Sequence, residues 1–418
     1  MAGQRIDIAD IRAPVLTQLQ QQTLAWAQAN PPLLTEDAVL GAAREATGLS
    51  DFGEEDFRPR LRLWLQALQE ADNVTELGRL GPYLDMVRYA GNRLRIEDLV
   101  KRHPEILQIP IDRPIVIAGL PRSGTTYLQS FIAGDRRLRS MPFWEVTRPV
   151  PAPGEEPVPG QPDPRHTRSQ QDYAQADALL PYIKSFHDFA PDHISEDIEL
   201  QALDFSSYYL EWLVPSRRWQ EHYFATDITS SYRYLKKGLQ VMTWFKGPNR
   251  WLLKCPQHME QLLPLRTVFP DATIVINHRD PVASIQSAIT AIAYAARVRN
   301  QRVEPRVIAD YWIARYEKLL RRCVRDRDQL EEAHSVDVYF DKLMADPWAA
   351  VGEIYAKAGL PLDAEVKANL EAAVAAHPRG KHGQIEYHLE RDFGIRPAEM
   401  RERFAFYFER FPVPVEVL

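Results

Sequence analysis

Residues 114–134 read PIVIAGLPRSGTTYLQSFIAG, and this stretch decides the fold of the 418-residue chain. Its first part, 114–119, is a short β-branched run ended by Gly119, which predicts a buried strand. From Thr125 onward the apolar spacing predicts a helix that ends at Gly134. A strand that passes directly into a helix is the repeating unit of α/β proteins.

Three further runs have the composition of buried strands. They are residues 251–253, 273–277 and 336–340, and segments with helical spacing separate them. Strands that alternate with helices form a parallel sheet that is covered on both faces. We therefore predict an α/β protein of three layers, in which a central parallel β-sheet is flanked by helices.

The N-terminal quarter of the chain differs from the rest because its apolar residues recur at helical spacing. The clearest examples are residues 57–71 and 80–103. We predict a helical N-terminal cap region over 1–110, followed by an α/β domain over 111–418. Seven prolines between 149 and 164 predict a non-helical loop within that domain.

Composition and charge narrow the classes of function. The formal net charge is −6, so no overall basic field favours nucleic acid as a partner. Two cysteines, Cys255 and Cys323, favour reduced thiols over a disulfide framework. We see no apolar run of a signal peptide, and no stretch approaches the roughly 18 apolar residues of a membrane span. We expect a cytoplasmic protein without a transmembrane segment, and a homodimer stays open.

The turn between strand and helix carries the first functional motif. Gly119 and Gly124 frame it in the pattern G-x-x-x-x-G, which is that of a P-loop, so the predicted fold is of the P-loop type. In such a loop, backbone N–H groups and the helix N-terminus point at an anion, and glycine lets phosphate oxygens approach closely. The side chains that could bind the same anion are those of Arg122, Ser123, Thr125 and Thr126.

The same loop departs from the pattern of nucleotide triphosphatases. Those enzymes place Lys where Thr125 stands, whereas the cation of this loop is Arg122. The strand over 273–277 leads into His278-Arg279-Asp280, and no strand ends in an obvious Asp for Mg²⁺. We therefore predict a phosphate-type anion that is held without the Mg-ATP apparatus and without a bound metal.

Residues 119–135, GLPRSGTTYLQSFIAGD, resemble the 5′-phosphosulfate loop of sulfotransferases that use PAPS, 3′-phosphoadenosine-5′-phosphosulfate. The resemblance is closest to the branch whose loop reads PRSGTT, which includes tyrosylprotein sulfotransferases and many bacterial enzymes. It implies an enzyme that moves the sulfuryl group of PAPS to an acceptor hydroxyl by in-line displacement. Aromatic residues clustered in 182–251 favour a small, hydrophobic acceptor, such as an alcohol, phenol, sterol or lipid.

Further segments resemble donor-binding residues of the same family. Arg279 follows a predicted strand and Ser287 lies eight residues later, which resembles the pair that binds the 3′-phosphate of the donor. Lys254 also ends a predicted strand and resembles the lysine that stabilises the transferring group. A basic glycine loop with Arg379 and Lys381 resembles the family's C-terminal contact to the 3′-phosphate and adenosine.

The general base stays open between a carboxylate and a histidine. Glu145 lies in an E-x-T-R pattern that resembles the tyrosylprotein branch, where such a Glu is the base. The cytosolic branch uses histidine, and imidazole suits neutral pH without tuning. The candidate histidines are His187, His193 and His258. With the charge-stabilising Arg122 and Lys254, the residues Glu145, His187 and His258 form the predicted catalytic set.

Two other functions remain possible from the sequence. The first is a P-loop kinase or nucleotidase that uses ATP, and the lack of Lys at position 125 counts against it. The second is a non-catalytic nucleotide-binding protein, which would bind the desulfated nucleotide without transferring a group to any acceptor.

Overall fold

A computed structural model of the protein describes residues 4–158, 160–247, 249–376 and 381–417. The strands in these ranges are β1 (Arg5–Ile6), β2 (Ile115–Gly119), β3 (Leu138–Arg139), β4 (Arg250–Lys254), β5 (Thr273–His278), β6 (Ser335–Tyr339) and β7 (Gln384–Ile385). The α-helices are α1 (Gln18–Ala29), α2 (Glu36–Thr47), α3 (Arg58–Glu70), α4 (Glu76–Arg102), α5 (Thr125–Ile132), α6 (Phe143–Val146), α7 (Pro164–Leu179), α8 (Ile183–Phe186), α9 (Ile198–Ala202), α10 (Tyr209–Leu213), α11 (Arg217–Ala225), α12 (Thr229–Lys246), α13 (Leu262–Val268), α14 (Pro281–Arg299), α15 (Pro305–Arg327), α16 (Phe340–Ala345), α17 (Pro347–Ala358), α18 (Ala364–Ala376), α19 (Pro397–Arg403) and α20 (Ala405–Arg410). Within these ranges, none of the helices combines the length and hydropathy of a membrane-spanning helix.

The central sheet is parallel throughout, with the strand order β3-β4-β2-β5-β6. Alternate residues of β2 enter different hydrophobic cores, because successive side chains of a strand point to opposite faces. Val116 packs into the larger core, whereas Ile115 and Ile117 pack into a second core with residues of α5, α17 and α18. Helices therefore cover both faces, and the predicted three-layer α/β fold is confirmed.

The predicted strands lie within two residues of β2, β4, β5 and β6. The edge strand β3 was not predicted, because it spans only Leu138 and Arg139 and has no pattern that a sequence could reveal. A second small sheet pairs β1 with β7, so the start of the chain lies beside the segment near Gln384.

The register of the sheet brings the carboxyl ends of its strands to one edge. Ile117 of β2 pairs with Lys254, the last residue of β4, and Gly119 pairs with Asn277 near the end of β5. His278 pairs in turn with Tyr339 of β6. Ligands of open α/β sheets bind outside this edge. The loops that follow β2, β4 and β5 are therefore neighbours, although they are far apart in sequence.

The N-terminal residues are helical as predicted, in α1 to α4. Their apolar residues belong to the same core as those of the α/β part, and Trp64 of α3 lies 4.8 Å from Trp219 of α11 between ring centroids. The boundary near residue 110 remains a prediction.

In the proline-rich stretch, α7 begins at Pro164, where Asp163 accepts a hydrogen bond from the N–H of Arg165. Proline suits this first helical position because its missing N–H would have no partner there.

Candidate active site at the carboxyl edge of the sheet

The loop between β2 and α5 has a backbone that is suited to an anion. Arg122 and Gly124 have positive φ angles of 70° and 90°. Positive φ is rare for a residue such as arginine and is concentrated at functional sites. The loop leads straight into Thr125, the first residue of α5, so the N–H groups of the first turn face its concave side.

Both framing glycines are required by close contacts. A Cβ atom on Gly124 would lie 2.8 Å from the ring of Phe340, and one on Gly119 would lie 2.8 Å from the hydroxyl of Ser123. The Ser123 hydroxyl already donates to the carbonyl of Leu120 at 2.7 Å. Within the predicted set, Ser123 therefore shapes the loop, while Thr125 and Thr126 lie at the start of α5.

Lys254 is brought to the loop by the pairing of β4 with β2. Its Nζ lies 3.4 Å from the hydroxyl of Thr126 and forms an ion pair with Glu196. The ammonium group is almost completely buried, with 1% of the side chain exposed. The backbone N–H of Lys254 donates to Asp197 at 3.1 Å, which fixes the end of the strand. Glu196 was not predicted, because it stands in an acidic stretch that no motif distinguishes.

His258 lies behind Lys254 and not beside the loop. Its Nε2 is 3.0 Å from Asp197 and its Nδ1 is 2.9 Å from the hydroxyl of Tyr232. All three side chains are buried. Both ring nitrogens thus have partners, and the same Asp197 accepts the N–H of Lys254. His258 therefore helps to position Lys254 through Asp197.

His187 lies close to the cations of the site. Arg122 donates from Nη1 to the carbonyl of Phe186 at 2.5 Å, which places the neighbouring His187 at the loop. Burial lowers the pKa of His187 to about 3, and the positive charges of Lys254 and Arg122 act in the same direction. Its ring centroid is 5.8 Å from that of His193. His187 is therefore neutral at physiological pH, with two cations and the carboxylate of Asp188 close to it.

His193 has a similar environment. Burial lowers its pKa to about 3, and the nearby His187 adds to the effect. Its Nε2 is buried and has no hydrogen-bond partner among the described residues. A buried polar atom without a partner is uncommon and costs free energy, so it needs an explanation. A bound acceptor is one group that would supply the missing hydrogen bond.

Glu145 is held at the other end of β4. Its Oε1 accepts from Nη2 of Arg139 at 2.8 Å, and both side chains are buried. Arg139 of β3 pairs in register with Trp251 and stacks on its ring at 4.4 Å. Trp251 precedes Lys254 by three residues, which corresponds to about 10 Å along a strand. No described contact joins Glu145 to the phosphate loop, and its role as base remains a prediction.

Arg279 lies against the loop from the side of β5. Its Nη1 donates to the carbonyl of Arg122 at 2.5 Å, and its guanidinium stacks on Phe340 at 3.9 Å. The remaining nitrogens donate to both carboxylate oxygens of Glu416, at 2.8 and 2.6 Å. The C-terminal segment is fixed in this place because the N–H of Glu416 donates to Asp280 at 2.8 Å. A carboxylate therefore sits on the arginine that was predicted to bind a phosphate.

The other predicted donor contacts lie nearby in the chain's C-terminal third. The hydroxyl of Ser287 on α14 donates to that of Tyr387 at 2.7 Å. Lys381 forms an ion pair with Asp188 at 2.8 Å, and Asp188 directly follows His187 in the sequence. Arg379 lies outside the described residues. Lys381 thus contacts the same segment, 186–188, as Arg122.

One further buried group at this edge was not predicted. Asn277 lies against Gly119 of the loop, and neither atom of its amide has a hydrogen-bond partner among the described residues. The described side chains include no group of three or more His, Cys, Asp or Glu residues arranged to hold a metal ion.

The parallel sheet and the glycine-framed loop that opens α5 define an α/β protein of the P-loop type. A model of the sulfotransferase family matches residues 114–364, which is more than half of the chain, and the protein belongs to that family. It is thus a transferase of sulfur-containing groups, and the resemblance stated from the sequence is confirmed. Among curated protein sequences there is no significant match.

Solved structures agree with the family. Sulfotransferase STF9 from Mycobacterium avium superposes with a TM-score of 0.82 at 26% identity, over 92% of this chain and 99% of that one. Sulfotransferase STF1 from Mycobacterium tuberculosis gives a TM-score of 0.78 at 26% identity, over 89% of this chain and 98% of that one. At these coverages, both superpositions extend into the N-terminal residues that precede the matched family region. The family membership favours sulfuryl transfer over ATP-dependent chemistry and over simple nucleotide binding.

Proposed function

We propose that the protein transfers the sulfuryl group of PAPS to the hydroxyl of a small, hydrophobic acceptor. The observation that carries this proposal is the convergence of Arg122, Lys254 and Arg279 around one phosphate loop. These cations lie on two sides of the loop, Lys254 towards β4 and Arg279 towards β5. PAPS has two separated anionic groups, the 5′-phosphosulfate and the 3′-phosphate, which match the two sides.

In this proposal the 5′-phosphosulfate binds at the N–H groups that open α5, with the hydroxyls of Thr125 and Thr126. Arg279 and Ser287 bind the 3′-phosphate, and Lys381 contacts the nucleotide. Since Arg279 already holds the carboxylate of Glu416, the donor phosphate replaces one anion by another of higher charge. The cost of desolvating Arg279 is therefore partly met before the donor arrives.

The reaction is an in-line displacement at sulfur. The acceptor oxygen forms a bond to the sulfur while the bond from sulfur to the 5′-phosphate oxygen breaks, which releases adenosine 3′,5′-bisphosphate. Negative charge grows on the leaving phosphate and on the sulfuryl oxygens. Lys254 and Arg122 are held at the loop by the fold and stabilise that charge, once the donor has replaced Glu196 at Lys254.

We propose His187 as the general base that takes the acceptor proton. It is neutral, and its neighbours Lys254 and Arg122 are the cations that would hold the sulfuryl group. Burial first, and these charges second, make it a weak base in the empty site. The anionic donor cancels these charges, so its arrival raises the pKa of His187 towards the value at which imidazole accepts protons at neutral pH.

The surroundings of His187 support a hydrophobic acceptor. Phe189 lies 4.6 Å from His187 between ring centroids, and Phe143 packs against Phe189 at 5.6 Å. Both phenylalanines are only partly buried, so their rings can contact a further apolar group. A hydroxyl carried by an aromatic or aliphatic body would then reach His187 from an apolar side.

The test is an acceptor screen with PAPS that includes phenols, long-chain alcohols and sterols, read by the mass of the sulfated product. We expect transfer to at least one class and release of adenosine 3′,5′-bisphosphate in equal amount. His187→Asn should lower kcat by about 10²–10⁴, as for the loss of a general base. The exposed His334→Asn is the matched control and should keep wild-type turnover.

Two outcomes would change the proposal. If Glu145→Gln lost as much turnover as expected for His187→Asn, while His187→Asn stayed active, Glu145 would be the base. If PAPS gave no product with any acceptor and ATP served instead as a phosphoryl donor, the proposed reaction would be wrong.

A further inference from the structure

A cavity lined by arginines lies between the N-terminal helices and the proline-rich segment, away from the donor loop. It has a volume of about 110 Å³, and its wall comes from α2, α4, α7 and the chain between residues 148 and 155. A single water needs only about 15 Å³ of such space, so the cavity can hold a larger group. Its charged lining consists of Arg88, Arg95, Arg148, Arg165, Arg168 and Glu155.

Four of these arginines have carboxylate partners. Those partners are Glu199 for Arg88, Asp172 for Arg148, Asp163 for Arg165 and Glu155 for Arg168. Arg95 differs, because its buried Nε has no hydrogen-bond partner among the described residues. A guanidinium stays charged in any protein and presents a planar fork of donors. Arg95 is therefore a built-in donor group that faces its cavity without a carboxylate bound to it.

Two neighbouring arginines and one carboxylate act on the charge of Arg95 in the cavity. Burial lowers the pKa of Arg95; Glu155 opposes this effect, while Arg168 and Arg148 add to it. Burial likewise lowers the pKa of Arg148, although its partner Asp172 opposes the shift. Positive groups that are held close together in a poorly solvated place repel one another, and an anion between them removes the repulsion.

We propose that this cavity binds one small tetrahedral oxyanion, a phosphate or sulfate group, through the guanidinium of Arg95 with Arg148 and Arg168 beside it. Arginine forks match the oxygens of such groups in two parallel hydrogen bonds. Arg122, Lys254 and Arg279 do not line the cavity, so this is a second anion site that does not depend on the proposed donor site.

Residues that line the cavity also contact the segments that contain Glu145 and Glu196. The carbonyl of Thr147 accepts from Asn92 at 2.8 Å and from Arg88 at 3.3 Å, and both donors line the cavity. Arg88 also pairs with Glu199 at 3.0 Å, three residues beyond the partner of Lys254. The anion could be a free ion or the anionic end of a larger molecule such as an acceptor.

The test is isothermal titration of sulfate into the full chain at constant ionic strength, with and without saturating adenosine 3′,5′-bisphosphate. We expect one sulfate per chain to bind even when the bisphosphate is present. Arg95→Gln should weaken this sulfate about tenfold to a hundredfold, the loss expected for one charge-assisted group. The exposed Arg302→Gln should leave it unchanged.

Arg95→Lys keeps the charge but loses the fork, so it should bind sulfate with an intermediate affinity and guards against a simple folding defect. Titration with a short alkyl phosphate then separates the two sources: tighter binding than sulfate indicates a group on a larger molecule, and equal binding indicates a free ion. Absence of binding to the bisphosphate-saturated wild type would overturn the site. Unchanged sulfate affinity in Arg95→Gln would overturn it equally.

Discussion

Cations in two regions of the molecule have carboxylate partners that differ in their exposure to solvent. Behind the sheet, Arg315 of α15 donates to Glu211 at 2.7 Å and to Glu260 at 2.6 Å, and all three side chains are fully enclosed. At the carboxyl edge, Lys254 and Arg279 each hold a carboxylate that is partly exposed, Glu196 at 15% and Glu416 at 25%.

This difference in exposure distinguishes a cation with a structural role from one whose partner a ligand can replace. An enclosed pair cannot exchange its partner without unfolding, since an unpaired buried charge is very costly. A carboxylate at an open edge can be replaced by another anion, because water reaches it and stabilises it during the exchange. By this criterion the carboxylates on Lys254 and Arg279 can be exchanged, as the proposed donor site requires, and those on Arg315 cannot.

The largest expected effect is on stability, at Arg315. Arg315→Met leaves Glu211 and Glu260 buried without their partner, and we expect a loss of about 3–5 kcal/mol in the free energy of unfolding. Denaturant titration measures this loss. Arg321→Met is the control on the same helix: Arg321 is exposed, and its partner Glu317 is partly exposed and keeps a second pair with Arg403, so stability should change by no more than about 1 kcal/mol. Equal effects of the two substitutions would remove the distinction between enclosed and open pairs.

The next effect is on rate, at Lys254. Lys254→Met should lower kcat by about 10²–10³, as for the removal of one preorganised group that stabilises the transition state. Steady-state turnover with PAPS measures this loss, and the exposed Lys367→Met should retain wild-type activity.

A structural effect of the same change can be separated from a catalytic one. Lys254→Met leaves Glu196 without its ion-pair partner, so folding is compared in the double variant with Glu196→Gln. Stability should recover in the double variant while turnover stays low. Recovery of turnover would mean that Lys254 only neutralises Glu196.

The fold could be predicted because its signals are local. The β-branched run that ends at Gly119, the glycine frame of the loop and the helical spacing after Thr125 lie within twenty-one consecutive residues. The strands β5 and β6 also contain β-branched residues, and β4 is a short apolar run. Strands that alternate with helices are expected to be parallel. The order of the strands and the edge strand β3 were not predicted, because pairing depends on packing between distant segments.

The site could be predicted only for residues that stand in motifs. Arg122, Lys254 and Arg279 each end a strand or lie in the glycine frame, and the sheet brings them together. Their carboxylate partners were missed, because Glu416 lies 137 residues from Arg279 and Glu196 lies 58 residues from Lys254. Neither has a sequence pattern of its own. Glu145 shows the opposite case, a motif residue whose partner, Arg139, is only six residues away but buried.

The smallest expected effect tests whether the donor phosphate replaces the carboxylate of Glu416 at Arg279. Glu416→Gln removes the charge that competes with the donor but keeps the backbone N–H that binds Asp280, so the C-terminal segment stays in place. A partly exposed ion pair contributes about 0.2–1 kcal/mol, and we therefore expect the KM for PAPS to fall by no more than about fivefold, with kcat unchanged. Raising the ionic strength should reduce the difference between variant and wild type. The exposed Glu409→Gln is the control and should leave the KM for PAPS as it is. A higher KM in Glu416→Gln would mean that Glu416 holds Arg279 in its binding position, and the edge pair would then be structural like the pairs of Arg315.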